Sequence, residues 1–266
     1  MNPHSPYGGL RRHEEYYITT GDLHFVVDRT RFRVHRYFYE RESDYFRSIL
    51  LAPISPGATR QGTTDENAIE LDYVTSDEFA KFNWVFYNPK FSIYDKGARD
   101  WHIVLRLAHR WRFPNVHELA VRELDKLYVP DIDRVAMYQD YDVDRRKLVP
   151  CYAALAQRAE PIALDEGERL GLETVIMLAQ ARELARAGPE RALAPVGLRP
   201  EEMQEIVRDV FDLDGLPGDH TYPQAYEGMS RSVSCASGVA RVAAANSATG
   251  IDCRKPHEAQ VHTGGC

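Results

Sequence analysis

Two short runs of alternating apolar and polar residues mark the first folded elements of the chain. The runs occupy residues 23–27 (LHFVV) and 31–35 (RFRVH). A period of two predicts β-strands that each bury one face, and the three residues 28–30 between the runs are enough for a hairpin turn. Residues 68–71 (AIEL) predict a third short strand.

Helical spacing of apolar residues begins soon after the predicted hairpin. Ser43 is placed to cap a helix that runs to Leu50, and Pro53 ends it. Thr75 and Glu78 form a capping box at the start of another helix, which Pro89 ends. Further helices are predicted over 101–111, 116–127, 133–141, 148–159, 172–187 and 200–211. The order of three strands and many helices indicates an α+β domain followed by an all-helical part.

The helix over 172–187 has one apolar face in this interpretation. Leu172, Val175, Ile176 and Ala179 lie together on that face. We therefore expect these side chains to pack against the rest of the helical part.

Composition divides the 266 residues into four parts. Residues 1–15 are polar and are expected to form a disordered lead-in. Residues 16–128 are expected to form the α+β domain, and residues 129–212 a helical extension. Residues 213–266 are rich in Gly, Ser, Ala and Thr, and they predict a disordered low-complexity tail.

Charge and cysteine content exclude several classes of function. The net charge of −7 comes from mixed signs, so no basic surface is expected that would bind nucleic acid directly. No apolar run approaches the ~20 residues that span a bilayer, so no membrane insertion is expected. Four cysteines, one of them in the predicted folded part, do not make a disulfide framework. We expect an intracellular protein, cytoplasmic or nuclear.

Three segments, taken in order, resemble the opening of a BTB/POZ domain. They are Gly21 to Val27 with its Asp22, then Phe32 to Arg36 (F-R-V-H-R), then Ser43 to Leu50 (S-D-Y-F-R-S-I-L). The resemblance covers about 110 residues and implies the BTB/POZ fold, a short β-sheet with a cluster of helices. Residues 84–90 (WVFYNPK) are similar to the expanded BTB sets of mushroom-forming fungi.

The resemblance implies a protein-interaction module that self-associates, as a scaffold or a transcription-linked adaptor and not as an enzyme. By analogy with BTB repressors, Asp22 and Arg36 line a charged pocket at a dimer groove. The alternative is that the two residues only tie the strand to the following helix. His35 is expected to pack or hydrogen-bond under the hairpin, and it joins Asp22 and Arg36 as a candidate residue of the groove. Residues 22–42 are the expected surface of a homodimer.

A substrate adaptor of a cullin-based ubiquitin ligase is the alternative function. Cullin-binding relatives carry a hydrophobic-x-Glu motif in the loop after the third helix, whereas here residues 88–93 read NPKFSI and contain no Glu. That departure weakens the prediction of a cullin partner.

Enzyme and metal motifs are incomplete throughout, and no cofactor is predicted. The run His117-Glu118 begins like a zinc-protease helix, but Val121 stands where the second histidine is needed. The one remaining metal candidate is a zinc site in the tail, formed by Cys253, His257, His262 and Cys266.

Overall fold

A four-stranded mixed sheet forms one side of the N-terminal half. The computed structural model describes residues 9–53, 55, 57, 59–91, 93–187 and 198–214. Its strands are β1 (Arg11–Tyr17), β2 (Leu23–Val27), β3 (Thr30–Val34) and β4 (Ile69–Leu71), in the order β1-β3-β2-β4. β2 and β3 are antiparallel, whereas β1 runs parallel to β3 and β4 parallel to β2.

The β2–β3 hairpin is tighter than expected, with a turn of two residues. Asp28 and Arg29 both have positive φ angles, 45° and 58°. Two successive residues of this kind make a type I′ turn, whose twist matches that of the strands it joins. The turn pairs Val27 with Thr30 and fixes the register of the whole hairpin.

The expected disordered lead-in, residues 1–15, is wrong for residues 11–15, which belong to β1. Arg11 pairs with Thr30, and Arg12 pairs with Arg31. The strand gives no alternating apolar signal because Tyr16 is its one buried side chain, at the edge of the sheet. Pairing of the backbone with β3 therefore orders a segment whose side chains are mostly charged and exposed.

Two short helices follow the hairpin, α1 (Arg36–Glu42) and α2 (Asp44–Leu50). Ser43 caps α2 as predicted: its Oγ accepts a hydrogen bond from the backbone N–H of Phe46 (3.0 Å). The same hydroxyl donates to the carbonyl oxygen of Trp111 (2.6 Å) and is fully buried. One side chain thus starts a helix and fixes it to a distant part of the core.

Three longer helices complete this half: α3 (Ser76–Tyr87), α4 (Ala98–Arg110) and α5 (Pro114–Leu124). The predicted capping box at Thr75 and Glu78 is present at the start of α3. Phe79 of α3 makes edge-to-face contacts with Phe25 and Phe32 of the sheet, at ring-centroid distances of 5.2 Å and 4.8 Å. The core between the sheet and the helices is therefore rich in aromatic side chains. The combination of this sheet with these helices confirms the predicted α+β class.

In the described part of the C-terminal extension, the main elements are five α-helices. They are α6 (Asp131–Asp140), α7 (Val149–Gln157), α8 (Leu164–Leu170), α9 (Leu172–Arg186) and α10 (Pro200–Val210). Helix α8 was not predicted from the sequence; it is seven residues long and has a single buried side chain, Leu170.

The predicted apolar face of α9 is wrong except for Val175, which is partly buried against the core. Thr174, Leu178, Ala181 and Ala185 are the buried residues of this helix, whereas Leu172 and Ile176 are exposed. Small residues are buried here because α7, α8 and α10 all pack against α9. Residues 215–266, the predicted tail apart from its first two positions, lie outside the described part of the chain.

Polar contacts attach the extension to the end of α5. The carboxylate of Asp125 accepts hydrogen bonds from Tyr138 Oη and from Lys147 Nζ, each at 2.7 Å. Arg134 donates to the carbonyl oxygen of Leu127 (2.8 Å). These bonds fix the first helix of the extension beside α4 and α5.

Candidate protein-interaction site

Asp22 lies just before β2 and caps the neighbouring helix α1. Its Oδ1 accepts a hydrogen bond from the backbone N–H of Arg36 at 2.8 Å. His35, the residue at the capping position itself, supplies no side-chain cap. A carboxylate at a helix N-terminus satisfies a free N–H and opposes the positive end of the helix dipole.

Gly21 brings Asp22 within reach of the helix. A Cβ at Gly21 would come within 2.9 Å of the backbone of Arg33, so a larger residue would push the two segments apart. In the Gly-Asp pair of the motif, Gly21 is therefore required by the close approach of the Arg33 backbone, and Asp22 is required to cap α1.

The guanidinium of Arg36 turns away from Asp22 and binds Glu40. The two side chains lie one helical turn apart, with Nη1 and Oε1 separated by 3.0 Å. Nη2 of Arg36 is buried and has no hydrogen-bond partner within the described residues. Asp22 thus binds the backbone N–H of Arg36 and not its guanidinium. This geometry favours the interpretation in which the two residues connect the strand to the following helix over the one in which their side chains form a charged pair.

His35 is held between the end of α3 and the segment before β2. Its backbone N–H donates to Tyr87 Oη (2.9 Å), and its Nδ1 lies 3.0 Å from the same oxygen. Because Tyr87 Oη accepts the backbone bond, its own proton remains available for a bond to Nδ1 in the tautomer that leaves this nitrogen unprotonated. Nε2 lies 3.1 Å from Thr20 Oγ1, which completes the chain of bonds.

Tyr87 is itself half-buried at this junction. Burial, together with the nearby carboxylate of Asp22, raises the pKa of its hydroxyl above the ordinary value. The phenol therefore stays protonated and keeps its role as a hydrogen-bond donor to His35.

An exposed aromatic residue stands beside this polar framework. Tyr37 is 58% exposed on α1. The Arg41 guanidinium lies over its ring, 4.7 Å from the centroid, and donates to its hydroxyl (2.6 Å). Neither residue was predicted as a site residue from the sequence, although an aromatic residue and an Arg four positions apart on a helix are expected to interact.

The loop after α3 exposes two apolar side chains. Phe91 is 90% exposed and adopts a positive φ of 44°, and Ile93 is also exposed. An ion pair between Lys90 and Asp95 and a bond from Asn88 Nδ2 to the Ile93 carbonyl (3.0 Å) shape the loop. The described residues of this loop therefore include two exposed apolar side chains, Phe91 and Ile93.

The predicted zinc ligands Cys253, His257, His262 and Cys266 lie outside the described residues. Among the residues that are described, no cluster of three or more His, Cys, Asp or Glu side chains is arranged to hold a metal ion. In the same part of the chain, no helix combines the length and the apolar character needed to cross a membrane.

Comparison with known proteins identifies the N-terminal half. Residues 10–127 match the family model of the BTB/POZ domain, so the sheet and the helices α1 to α5 form a BTB/POZ domain. This is a family of protein-interaction domains.

Two curated relatives match over a longer stretch. BTB/POZ domain-containing protein 9 from Bos taurus and the protein of that name from Homo sapiens are both 26% identical to this chain over 189 residues. The alignment covers 69% of this chain but 28% of each relative. Because 189 residues exceed the length of the domain, the similarity continues into the sequence beyond it.

Proposed function

We propose that the BTB/POZ domain joins two copies of this chain through the β2–β3 hairpin and α1, and that the chain acts as a scaffold or a transcription-linked adaptor. We call the contact surface the hairpin–α1 surface and define it by Asp22, His35, Arg36, Tyr37 and Arg41. In this proposal the first three residues hold the surface in shape, and the last two contact the partner.

The exposed Tyr37–Arg41 pair on a fixed helix is the observation that carries the proposal. Tyr and Arg are enriched among the residues that dominate binding energy at protein interfaces. The cap from Asp22 and the Tyr87–His35 bonds fix α1 before any partner binds. A preformed surface loses less entropy on association than a mobile one.

Light scattering on the full chain tests the proposal. We expect concentration-dependent self-association, and Tyr37→Ser should weaken the contact between hairpin–α1 surfaces about tenfold or more, the effect of losing at least ~1.4 kcal/mol of contact energy. Tyr73→Ser is the matched control, because Tyr73 is 91% exposed on a different surface and its loss should leave the dimer intact. A wild-type chain that remains monomeric, or a dimer that Tyr37→Ser does not weaken, would contradict the proposal.

The double variant Asp22→Ala with Arg36→Ala probes the framework of the same surface. Loss of the Asp22 cap should loosen α1, so the double variant should weaken both the dimer and the fold. Thermal unfolding of this variant separates the two effects: Tyr37→Ser should leave the unfolding temperature nearly unchanged, and the double variant should lower it.

A second candidate function is recruitment of a cullin, and the exposed loop after α3 favours it. Phe91 and Ile93 offer an apolar contact where cullin-binding relatives place the hydrophobic part of their motif. We expect a purified cullin N-terminal domain to bind the chain, and Phe91→Ser to weaken that binding while Tyr73→Ser does not. No measurable binding in a titration would eliminate this candidate.

A further inference from the structure

A groove of about 510 Å³ runs between α4 and α6, where the extension meets the BTB/POZ domain. The apolar residues that line it include Ala98, Val129, Pro130 and Ala136. The volume lies in the range of roughly 300–1,000 Å³ typical of protein sites that enclose a small ligand or a large side chain. The groove is thus large enough to receive an aromatic ring.

Tyr128 stands at the rim of this groove. It is 90% exposed, on the connection between α5 and α6. The neighbouring backbone is held in place, because the carbonyl oxygen of Leu127 accepts a hydrogen bond from Arg134 (2.8 Å). A projecting aromatic side chain and a cavity that can receive one therefore lie side by side on one fixed surface.

This juxtaposition fits a two-fold contact between identical chains. In a two-fold interface the same surface meets itself, so each copy must offer both the projection and the cavity. If Tyr128 of one copy enters the groove of the other, the symmetry fills the first copy's groove at the same time. The contact closes with two chains.

The charges around the groove are balanced, which permits contact between two copies. Arg99 and Arg169 contribute positive charge, Asp133 and Asp140 contribute negative charge, and Arg169 forms an ion pair with Asp133. Two copies of a surface with one dominant charge would repel each other. Here each copy offers both signs, and the Tyr hydroxyl would find polar partners at the groove edge.

We propose that a second copy of this chain occupies the groove, with Tyr128 of each copy inserted between α4 and α6 of the other. This contact is separate from the hairpin–α1 surface and does not depend on it. A chain that used both surfaces would form assemblies larger than a dimer.

Sedimentation velocity on the full chain tests this contact with two variants. Tyr128→Ser removes the projection, and Ala136→Trp fills the cavity without changing Tyr128. We expect each to weaken association about tenfold or more, and Tyr73→Ser, which removes an equally exposed tyrosine elsewhere, to have no effect. Circular dichroism and the unfolding temperature establish that both variants fold.

The outcomes separate this contact from the hairpin–α1 surface. Association that Tyr128→Ser weakens and Tyr37→Ser does not would support the groove contact alone. Association unaffected by Tyr128→Ser would overturn the groove contact, whatever Tyr37→Ser does. A loss with Tyr128→Ser but none with Ala136→Trp would also overturn it, because the ring would then not enter the groove. A monomeric wild type would overturn both contacts.

Discussion

Asp65 organises the face of the sheet that points away from the core, and its removal should cost much of the domain's stability. The residue lies on a 3₁₀ turn before β4. Its carboxylate accepts hydrogen bonds from His24 Nδ1 (2.7 Å), Tyr17 Oη (2.8 Å) and Arg31 Nη1 (3.2 Å). Three strands are thereby tied to one side chain, and the change we consider is Asp65→Ala.

The magnitude follows from these three bonds. A hydrogen bond in a folded protein contributes about 1 kcal/mol net, and a bond to a charged group contributes more. The Asp65 side chain is 18% exposed and that of His24 is 10% exposed, so water replaces the lost bonds poorly. We expect Asp65→Ala to lower the free energy of unfolding by about 3 kcal/mol, and Asp65→Asn, which keeps one acceptor oxygen, by about half as much.

Urea unfolding followed by tryptophan fluorescence measures the effect. Trp101 and Trp111 are buried in the BTB/POZ half and report on its core. With a denaturant slope of about 2 kcal/mol per molar, a loss of 3 kcal/mol lowers the midpoint by about 1.5 M. Glu66→Ala is the control, because Glu66 is the exposed neighbouring acid on the same turn. A shift for Asp65→Ala no larger than that for Glu66→Ala would refute the reasoning.

The same bonds predict a pH dependence. Burial raises the pKa of Asp65, but the bonds from His24 and Tyr17 and the charge of Arg31 outweigh it and hold the pKa below the ordinary value. A lowered pKa in the folded state adds stability above the pKa of the unfolded chain, about 3.9. That stability is lost as the pH falls through the folded-state pKa, so the stabilities of wild type and Asp65→Asn should converge in acid and differ most near neutral pH.

Substitutions at three further positions test two sets of hydrogen bonds and one backbone conformation. Ser43→Ala should cost about 2 kcal/mol in urea unfolding, because it removes the cap of α2 and leaves the carbonyl of Trp111 without its buried donor; Ser43→Thr, which keeps the hydroxyl, should recover part of the loss. Tyr87→Phe should cost about 1–2 kcal/mol, since His35 loses both bonds to the hydroxyl, and an unchanged midpoint would contradict that geometry. Asp212→Gly should raise stability by up to about 1 kcal/mol in thermal unfolding, because Asp212, two residues after the end of α10, has a φ of 49° that glycine adopts without strain.

The fold of the N-terminal half could be predicted in large part because its signals are local. The hairpin, the Ser43 cap and the Thr75–Glu78 box are each specified by residues within a few positions of one another. β1 and α8 were missed because their order comes from pairing or packing with distant segments. The α9 face was assigned wrongly for a related reason: periodicity identifies an apolar face, but the neighbours decide whether small or large residues are buried.

The candidate site was predictable as a location but not as a set of contacts. The motif led to Asp22, His35 and Arg36, and these residues do lie around the start of α1. The hydrogen-bond partners could not be predicted from the sequence, because the rotamer of the Arg36 side chain decides whether its guanidinium binds Asp22 or Glu40. The solvent exposure of individual side chains could not be predicted either. Nothing in the sequence distinguished Tyr37 and Tyr128 from the aromatic residues of the core.

This division suggests how the chain separates folding from binding. Gly21, Asp22 and His35 carry the resemblance to the family, and each is engaged with a neighbouring backbone or side chain. Residues that already have partners contribute to binding mainly by fixing the surface. The side chains that can meet a partner are the exposed ones beside them, such as Tyr37, which contacts Arg41 but keeps 58% of its surface exposed. We therefore expect Asp22→Ala to lower the unfolding temperature, and Tyr37→Ser to weaken self-association while leaving the unfolding temperature nearly unchanged. Equal unfolding temperatures for the two variants would contradict this division between folding and binding.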